Sequence, residues 1–360
     1  MIHISKRVSM PKWQGWLIRL AAVGIALLVN AALIYALTKL NPIRVYITMF
    51  QGAFGTQRRI WNTLADTAML LCIGVGLAPA FKMKFWNIGA EGQILVGGLA
   101  SAACMIYFKS IPSGILLLIM FILSGLAGGI WGAIPAVSKV KLNTNETLFT
   151  LMMNYIAIRF TAYCVAKWEN PFGSNTVGIV NSDTKTGWIG NLLSKGYNGD
   201  YLWTVLIVLV LCTAMWAYLR YSKQGYEIAV VGDSENTARY AGIRVNRVYM
   251  RTMAISGAVC GFAGFLAVSA VSHTISISTA GGRGFTAIIV AWLAKMNPFV
   301  MLLISALLTF LSKGAIQIAT DFQLNEYASE IISGIVLFFI LGSEFFINYK
   351  LKLRGSHKEG

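Results

Sequence analysis

The sequence predicts an all-α polytopic membrane protein with about ten transmembrane helices and both termini in the cytoplasm. Three observations carry this. First, hydrophobic residues make up 56% of the 360-residue chain and charged residues only 12%, with a mean hydropathy of +0.65; a soluble domain is about one quarter charged. Second, apolar runs close to the ~20 residues a spanning helix needs recur along the chain. Third, the net charge of +16 collects in alternate polar intervals, as it does in loops held near anionic lipid on the cytoplasmic face. In a soluble chain such a charge would suggest nucleic acid. Here it implies membrane lipid and no nucleic-acid partner.

Taken in order, residues 1–16 form a basic cytoplasmic N-terminus (Lys6, Arg7, Lys12), and 17–349 form the transmembrane domain. Leu17–Leu37 is long enough to span and is followed by no small-residue cleavage site, so it is expected as an uncleaved first helix. Lys39–Arg59 is mixed and mildly amphipathic. Trp61–Ala80 is the second span, with Asp66 near its start and Pro79 at its end.

Phe85-Trp86-Asn87-Ile88-Gly89-Ala90-Glu91-Gly92-Gln93 then leads into a third span, Ile94–Phe108. An ionisable Glu at the mouth of a span is costly, so Glu91 should face protein or a water-filled cavity. The flanking glycines allow a break or a close backbone approach. One reading makes Glu91 and Gln93 structural, hydrogen-bonding a broken helix; the other gives them to a substrate.

Ile115–Val137 is the fourth span. Its Gly125/Gly129 and Gly128/Gly132 spacings suit tight helix packing in lipid. Asn143-Thr144-Asn145-Glu146 reads as a helix start, and Thr147–Val165 as the fifth span, with Asn154 and Arg159 polar inside it. Residues 167–200 interleave turn residues and aromatics and are placed outside. Tyr201–Leu219 is the sixth span.

Arg220–Arg251 is the longest cytoplasmic interval. It contains Asp233-Ser234-Glu235-Asn236-Thr237-Ala238-Arg239-Tyr240-Ala241-Gly242, which reads as one short capped helix. Asp233 or Ser234 can cap it, Glu235 favours its positive end, and Gly242 can take the left-handed turn that ends it. Two turns are not stable alone in water. The helix must pack on something, so it is either part of an ordinary basic loop or a docking element for a soluble partner.

Thr252–Val271 is the seventh span. Ser272–Gly284 is polar and glycine-rich, but lacks the phosphate-binding G-x-x-x-x-G-K-[ST] pattern. Phe285–Ala294 is too short to span if straight, so a tilted or half-inserted helix is expected. Phe299–Leu311 and Tyr327–Phe346 are the last spans, and 350–360 is a basic cytoplasmic tail.

Charge bias places 38–60, 109–113, 167–200, 272–283 and 312–326 outside. Arg44, Arg58 and Arg59 run against this, but the opposite orientation would put the most basic loop outside. Ser124-Gly125…Gly129…Gly132 echoes Ser256-Gly257…Gly261…Gly264, as an internal repeat would. The five cysteines lie in apolar stretches without C-x-x-C, so they read as small core residues. With three histidines, a His-based metal site is not expected. There is no H-E-x-x-H, no G-x-S-x-G and no chain of intramembrane Asp, Glu and His. A membrane protease, a lipid- or glycan-modifying enzyme and an ion-coupled secondary carrier are therefore the weaker function classes.

Four stretches, in order, resemble a known family. They are Asn87-Ile88-Gly89-Ala90-Glu91-Gly92-Gln93; Asn145-Glu146-Thr147 running to Leu151-Met152-Met153-Asn154-Tyr155-Ile156-Ala157; Ala238-Arg239-Tyr240-Ala241-Gly242-Ile243; and Gly281-Gly282-Arg283-Gly284-Phe285-Thr286-Ala287-Ile288. The chain is similar, from about 60 to 345, to the permeases of bacterial ABC importers for nucleosides and simple sugars. The resemblance implies a type II-like ABC importer permease in the bacterial cytoplasmic membrane. Such a chain is not itself an enzyme and holds no cofactor. ATP and Mg belong to a separate cytoplasmic ABC ATPase. An extracytoplasmic binding lipoprotein delivers substrate, and a second permease completes the pore. A heterodimer is favoured, because the chain is long for the group, like the larger of two nucleoside permeases.

The resemblance makes 234–241 the coupling helix, with Glu235, Ala238, Arg239, Tyr240, Ala241 and Gly242 docking the ATPase. The first motif looks like the nucleoside branch; the Gly-Ile-Asp-Leu-Ser motif of ribose-type permeases is missing. Asn87, Glu91, Gln93 and Asn154 are the candidates to line or gate the substrate pathway. A simple sugar is the alternative substrate.

Overall fold

The computed structural model describes residues 2–6, 12–190, 199–323 and 349–353, with isolated positions between 331 and 343. The described elements are β1 (Ile2–Lys6), α1 (Lys12–Thr38), α2 (Pro42–Phe54), α3 (Gln57–Lys82), α4 (Ala90–Tyr107), α5 (Ser113–Leu142), α6 (Glu146–Trp168), α7 (Gly199–Tyr221), α8 (Lys223–Asp233), α9 (Glu235–Tyr240), α10 (Val245–Leu266), α11 (Arg283–Leu293), α12 (Pro298–Asp321) and β2 (Tyr349–Leu353). Seven described helices are long and apolar enough to cross a membrane: α3 to α7, α10 with the turn that extends it, and α12. The expected first span lies inside α1. The expected span Tyr327–Phe346 falls mostly outside the described residues.

Three features differ from expectation. The basic interval 220–251 is helical over most of its length, because α8 fills its first half and α10 begins at Val245. Helix α12 runs on to Asp321, through residues expected in an outside loop. In both places the sequence reading tracked hydrophobicity, whereas Lys, Arg, Gln and Glu are good helix formers that carry a helix beyond the bilayer. Helix α5, with 30 residues, is ~45 Å long against a hydrocarbon core of ~30 Å. Finally, β1 and β2 pair antiparallel, Ile2 with Leu353 and Lys6 with Tyr349. This short ribbon is the departure from an all-helical chain among the described residues.

The helices sort into two compact units. One comprises residues 1–60 and 310–360. In it Asn41 caps α2 by accepting from the Ile43 N–H at 2.9 Å, with Pro42 in the first turn where its missing N–H does no harm. Helix α2 lays Val45, Met49 and Ala53 inward. Its backbone meets that of α12 closely: a Cβ on Gly52 would lie 2.9 Å from the Lys313 carbonyl oxygen. Phe50, Phe54 and Phe310 cluster beside that contact.

The other unit, 61–309, is built around α10, which packs on α5 and α4. The seam is made of small residues. A Cβ on Gly261 would collide with the Ser124 carbonyl and lie 2.9 Å from the Gly128 Cα; Gly257 meets Gly128 and Gly132 in the same way. Of the two glycine series that echo each other in the sequence, Gly132 meets Gly257 across this seam, whereas Gly264 packs on α4 and Gly125 lies beside the contact. Cys72, Cys104, Cys212 and Cys260 are buried free thiols and Cys164 is half-buried, as expected of small apolar residues.

Helix α10 ends in a π-helical turn, Ala267–Ser272, over which the 169–190 segment folds. Ile189 N–H donates to the Ser269 carbonyl at 3.1 Å and Val180 N–H to the His273 carbonyl at 2.9 Å. Trp188 stacks on the His273 ring at 3.6 Å. Burial, with the Lys185 charge adding to it, pushes His273 down to about 4.

Two outcomes follow from this packing. Gly261→Ala should lower stability in detergent by ~1–3 kcal/mol through overpacking. Gly125→Ala should be neutral or slightly stabilising, since its Cβ would meet only the Ala258 carbonyl at 4.0 Å; thermal unfolding of both variants checks this. His273 folds neutral, so the unfolded segment takes up a proton before the folded one does. Protection of the Val180 and Ile189 amides from hydrogen exchange should hold above pH ~6.5 and decline as pH falls toward about 4. His273→Gln should flatten that decline.

Candidate functional site

Helix α3 stops at Lys82. Lys84 takes a left-handed conformation, φ 59°, and α4 starts only at Ala90. The break between them is strapped by side chains. The Asn87 and Gln93 amides pair reciprocally, at 3.4 and 3.3 Å. Asn87 also donates to Ser256 Oγ at 3.3 Å and accepts from the Gly89 N–H at 3.0 Å. From α6, Asn154 accepts from the Gly92 N–H at 2.8 Å and donates to the Ile88 carbonyl at 2.9 Å. Thr150 Oγ1 accepts from the Ile88 N–H at 3.2 Å. Helix α6 thereby supplies the partners that an exposed backbone would lack inside a membrane.

Glu91, in the first turn of α4, reaches the start of α11. Its two carboxylate oxygens accept from the Gly282 N–H at 2.7 Å and the Gly284 N–H at 2.8 Å. Both glycines are needed. Gly282 has φ +73°, and a Cβ on Gly284 would lie 2.6 Å from the Glu91 nitrogen. A carboxylate facing the free N–H groups of a helix start is a favourable pairing. The glycine-rich loop does hold an anion, but the anion comes from its own chain. Arg283 points elsewhere, to Asp66 of α3 at 2.8 Å, and Trp86 stacks on Trp292 of α11. At eleven residues, or ~16 Å, α11 covers about half a bilayer.

The second site is the short helix α9. Ser234 caps α9 by accepting from the Thr237 N–H at 3.3 Å, and Gly242 just beyond has φ +77°. Ala238 is fully buried and anchors α9, while Tyr240 is 94% exposed and Arg239 is largely exposed, paired loosely to Glu235 at 3.6 Å. Glu235 accepts from the Tyr249 hydroxyl of α10 at 2.5 Å. Helix α8 presses on the end of α3, since a Cβ on Gly232 would strike the Lys82 carbonyl. Glu227 of α8 pairs with Arg251 of α10 at 3.0 Å. A cavity of about 200 Å³ lies behind α9, lined by Met83, Lys139, Glu146, Asp233 and Tyr249 among others. Phe85, at the α3–α4 break, packs on Tyr249 at 5.7 Å.

A family model described as "Branched-chain amino acid transport system / permease component" matches residues 59–341. The chain belongs to this permease family. Among curated relatives, the guanosine ABC transporter permease protein NupP of Bacillus subtilis (strain 168) is 28% identical, over 92% of this chain and 95% of its own. The glucose ABC transporter permease protein TsgB13 of Haloferax volcanii is 26% identical, over 97% and 93%. The nucleoside ABC transporter permease protein NupB of Lactococcus lactis subsp. cremoris is 27% identical, over 90% of each chain. The permease is a multi-pass protein of the cytoplasmic membrane.

Of the residues singled out in the sequence, Asn87, Glu91, Gln93 and Asn154 come together around one helix break. All four are buried, and each bonds to the permease itself. Of the proposed docking residues, Arg239, Tyr240, Ala241 and Gly242 are exposed, whereas Ala238 faces inward and Glu235 is tied to α10. The sequence reading passed over Ser256, Thr150 and the Asp66–Arg283 pair as site members. An acid near the start of one span and a base at the start of a short helix were the available signals, but nothing local said that they meet.

Glu91→Ala leaves two buried N–H groups without partners, at roughly 1–3 kcal/mol each. It should lower the thermal unfolding midpoint of the purified permease markedly, and Glu91→Gln less, since an amide oxygen can still accept. A loss of transport by Glu91→Ala with unchanged stability would instead place Glu91 in the substrate path.

Proposed function

We propose that the permease is the transmembrane subunit of an ATP-driven ABC importer that carries nucleosides inward across the cytoplasmic membrane. The observation that carries this is the α9 geometry: a short helix held by Ala238 and Glu235 that offers Tyr240 and Arg239 to the cytoplasm. A two-turn helix anchored on one side and bare on the other suits a soluble partner that pushes. That partner is a cytoplasmic ABC ATPase, which binds ATP and Mg. A second permease completes the pore, a heterodimer being favoured by the length of this chain, and an extracytoplasmic lipoprotein supplies substrate. The names of NupP and NupB support nucleosides. The name of TsgB13 supports the second reading, a simple sugar such as glucose.

The mechanism follows from the contacts. Closure of the ATPase loads α9. The load reaches α10 through Glu235 and Tyr249, and reaches α3 through α8 at Lys82. Helix α10 meets α4 and α5 along small residues with little side-chain interlocking, so it can rock without unpacking a core. A nucleoside is neutral, and its passage needs hydrogen-bonding and aromatic groups rather than a counter-charge. Asn87, Gln93 and Asn154 serve in this scheme by keeping the α3–α4 break rigid while α10 moves.

Deleting the gene should abolish uptake of labelled nucleoside, competed by unlabelled nucleosides and not by ribose or glucose. Restoring it as the Arg239→Ala, Tyr240→Ala double variant should return normal membrane expression with uptake reduced at least tenfold. Wild-type uptake by that variant would overturn the docking role of α9. Loss of sugar uptake in place of nucleoside uptake would select the second reading.

A further inference from the structure

Helix α6 has two unlike faces. Thr150, Asn154, Ala157 and Thr161 are buried against the rest of the unit. The opposite face carries Tyr155 and Tyr163, both exposed, with Arg159 exposed between them. The spacing is i, i+4, i+8, so the three side chains stack along one line. Arg159 lies thirteen residues from Glu146 and nine from Trp168, the ends of α6, which puts it ~20 Å and ~14 Å from them. Snorkelling to the interface is a property of residues near helix ends. Arg159 makes no hydrogen bond or ion pair among the described residues. An arginine in this position is strongly disfavoured against lipid and marks a water-filled path or a functional surface.

We infer that the outward face of α6, Tyr155–Arg159–Tyr163, lines the aqueous path and touches the nucleoside in transit, with Arg159 reading the edge of an oxo-purine base. The inference rests on the nucleoside-importer reading. Two tyrosines and a planar guanidinium give successive flat surfaces on which a base can stack. Guanidinium presents two parallel N–H donors, which match the O6 and N7 acceptors of guanine or hypoxanthine. Adenine offers an amino group where O6 would be and mismatches that fork. By contrast Asn87, Gln93, Glu91 and Asn154 face the other way and bond to their own chain, so α6 separates a frame-holding face from a substrate face.

The test uses the full importer in cells, in a Cys164→Ala background because Cys164 is the thiol on α6. Tyr155→Cys and Tyr163→Cys are labelled with a charged, membrane-impermeant methanethiosulfonate, with Val210→Cys as control, a position 70% exposed on apolar α7. Labelling at 155 and 163 but not 210, slowed by guanosine, is expected. Absence of labelling at both tyrosine positions would overturn the aqueous path while leaving wild-type nucleoside uptake, and so the importer reading, intact. Protection by glucose in place of guanosine would overturn the nucleoside contact and the nucleoside reading together.

A second measurement bears on the base. Arg159→Gln should raise KM for guanosine and inosine and shift preference toward adenosine roughly fivefold or more, because a glutamine amide matches adenine N6 and N7. Equal losses for all nucleosides, or none, would overturn the reading role of Arg159.

Discussion

The structure depends on one carboxylate placed between two helix starts. Glu91 belongs to the first turn of α4 and caps the first turn of α11, 191 residues later in the chain. Each helix start carries free N–H groups and partial positive charge, and within a bilayer no water satisfies them. The buried acid of the α4 start answers the free N–H groups of the α11 start, while Asn154 serves α4 itself, and this works only if the backbones come within hydrogen-bond range. That condition explains the surrounding glycines: Gly282 for its left-handed turn, Gly284 because a side chain there would strike Glu91. The Asp66–Arg283 pair then fixes α11 to α3. A helix as short as α11 is otherwise hard to hold inside a membrane, and here its polar end closes on the first turn of α4.

The same arrangement separates parts that hold from parts that slide. The polar straps Asn87, Gln93, Thr150 and Asn154 tie α4 and α6 to the break. Helix α10 meets α4 and α5 along a seam rich in glycine, and near its N-terminal end it bonds α9 and α8 through Tyr249 and Arg251. Those are the points where α9 and α8 join it. A displacement at Tyr240 therefore has a short mechanical route to α10 and, through Phe85, to the α3–α4 break. Close packing in a membrane comes from small residues rather than from expulsion of water, so a seam of this kind loses little when it shifts.

How much of this was legible in the sequence follows from what kind of signal each part leaves. Hydrophobic runs located α3 to α7, α10 and α12, because the bilayer imposes a length and a polarity. Their polar extensions were invisible to that signal: Arg247 and Arg251 lie inside α10, and Lys313 inside α12. The Ser234 cap and the Gly242 turn of α9 could be read because capping is local chemistry. The ribbon between β1 and β2 could not, since its pairing joins the two ends of the chain. Glu91 stood out as a polar residue that needed a partner, but its partners were backbone N–H groups, which no sequence position advertises. The glycine echo was visible and was open to a reading as duplication. In the fold, Gly132 and Gly257 approach closely, as Gly128 and Gly257 do, so a side chain on either helix would strike the other there.

Two ionisable residues inside the membrane domain thus have opposite fates, and the contrast bears on mechanism. Glu91 is enclosed, accepts from two N–H groups and faces helix ends that favour its charge. Arg159 is on the outside of its helix, far from either end, with no hydrogen bond or ion pair among the described residues. A buried group that is fully satisfied rigidifies a fold. An exposed group that is unsatisfied must find its partner elsewhere, in water, in a second chain or in a passing ligand. Because α6 carries Asn154 on one side and Arg159 on the other, any tilt of the α4–α6 frame is also a displacement of Arg159. The frame that Glu91 closes and the surface that Arg159 presents are two sides of the same rigid element. Movement of α10 against that frame would alter access to the Arg159 face without having to rebuild it, which is how a permease can alternate access and keep its selectivity constant.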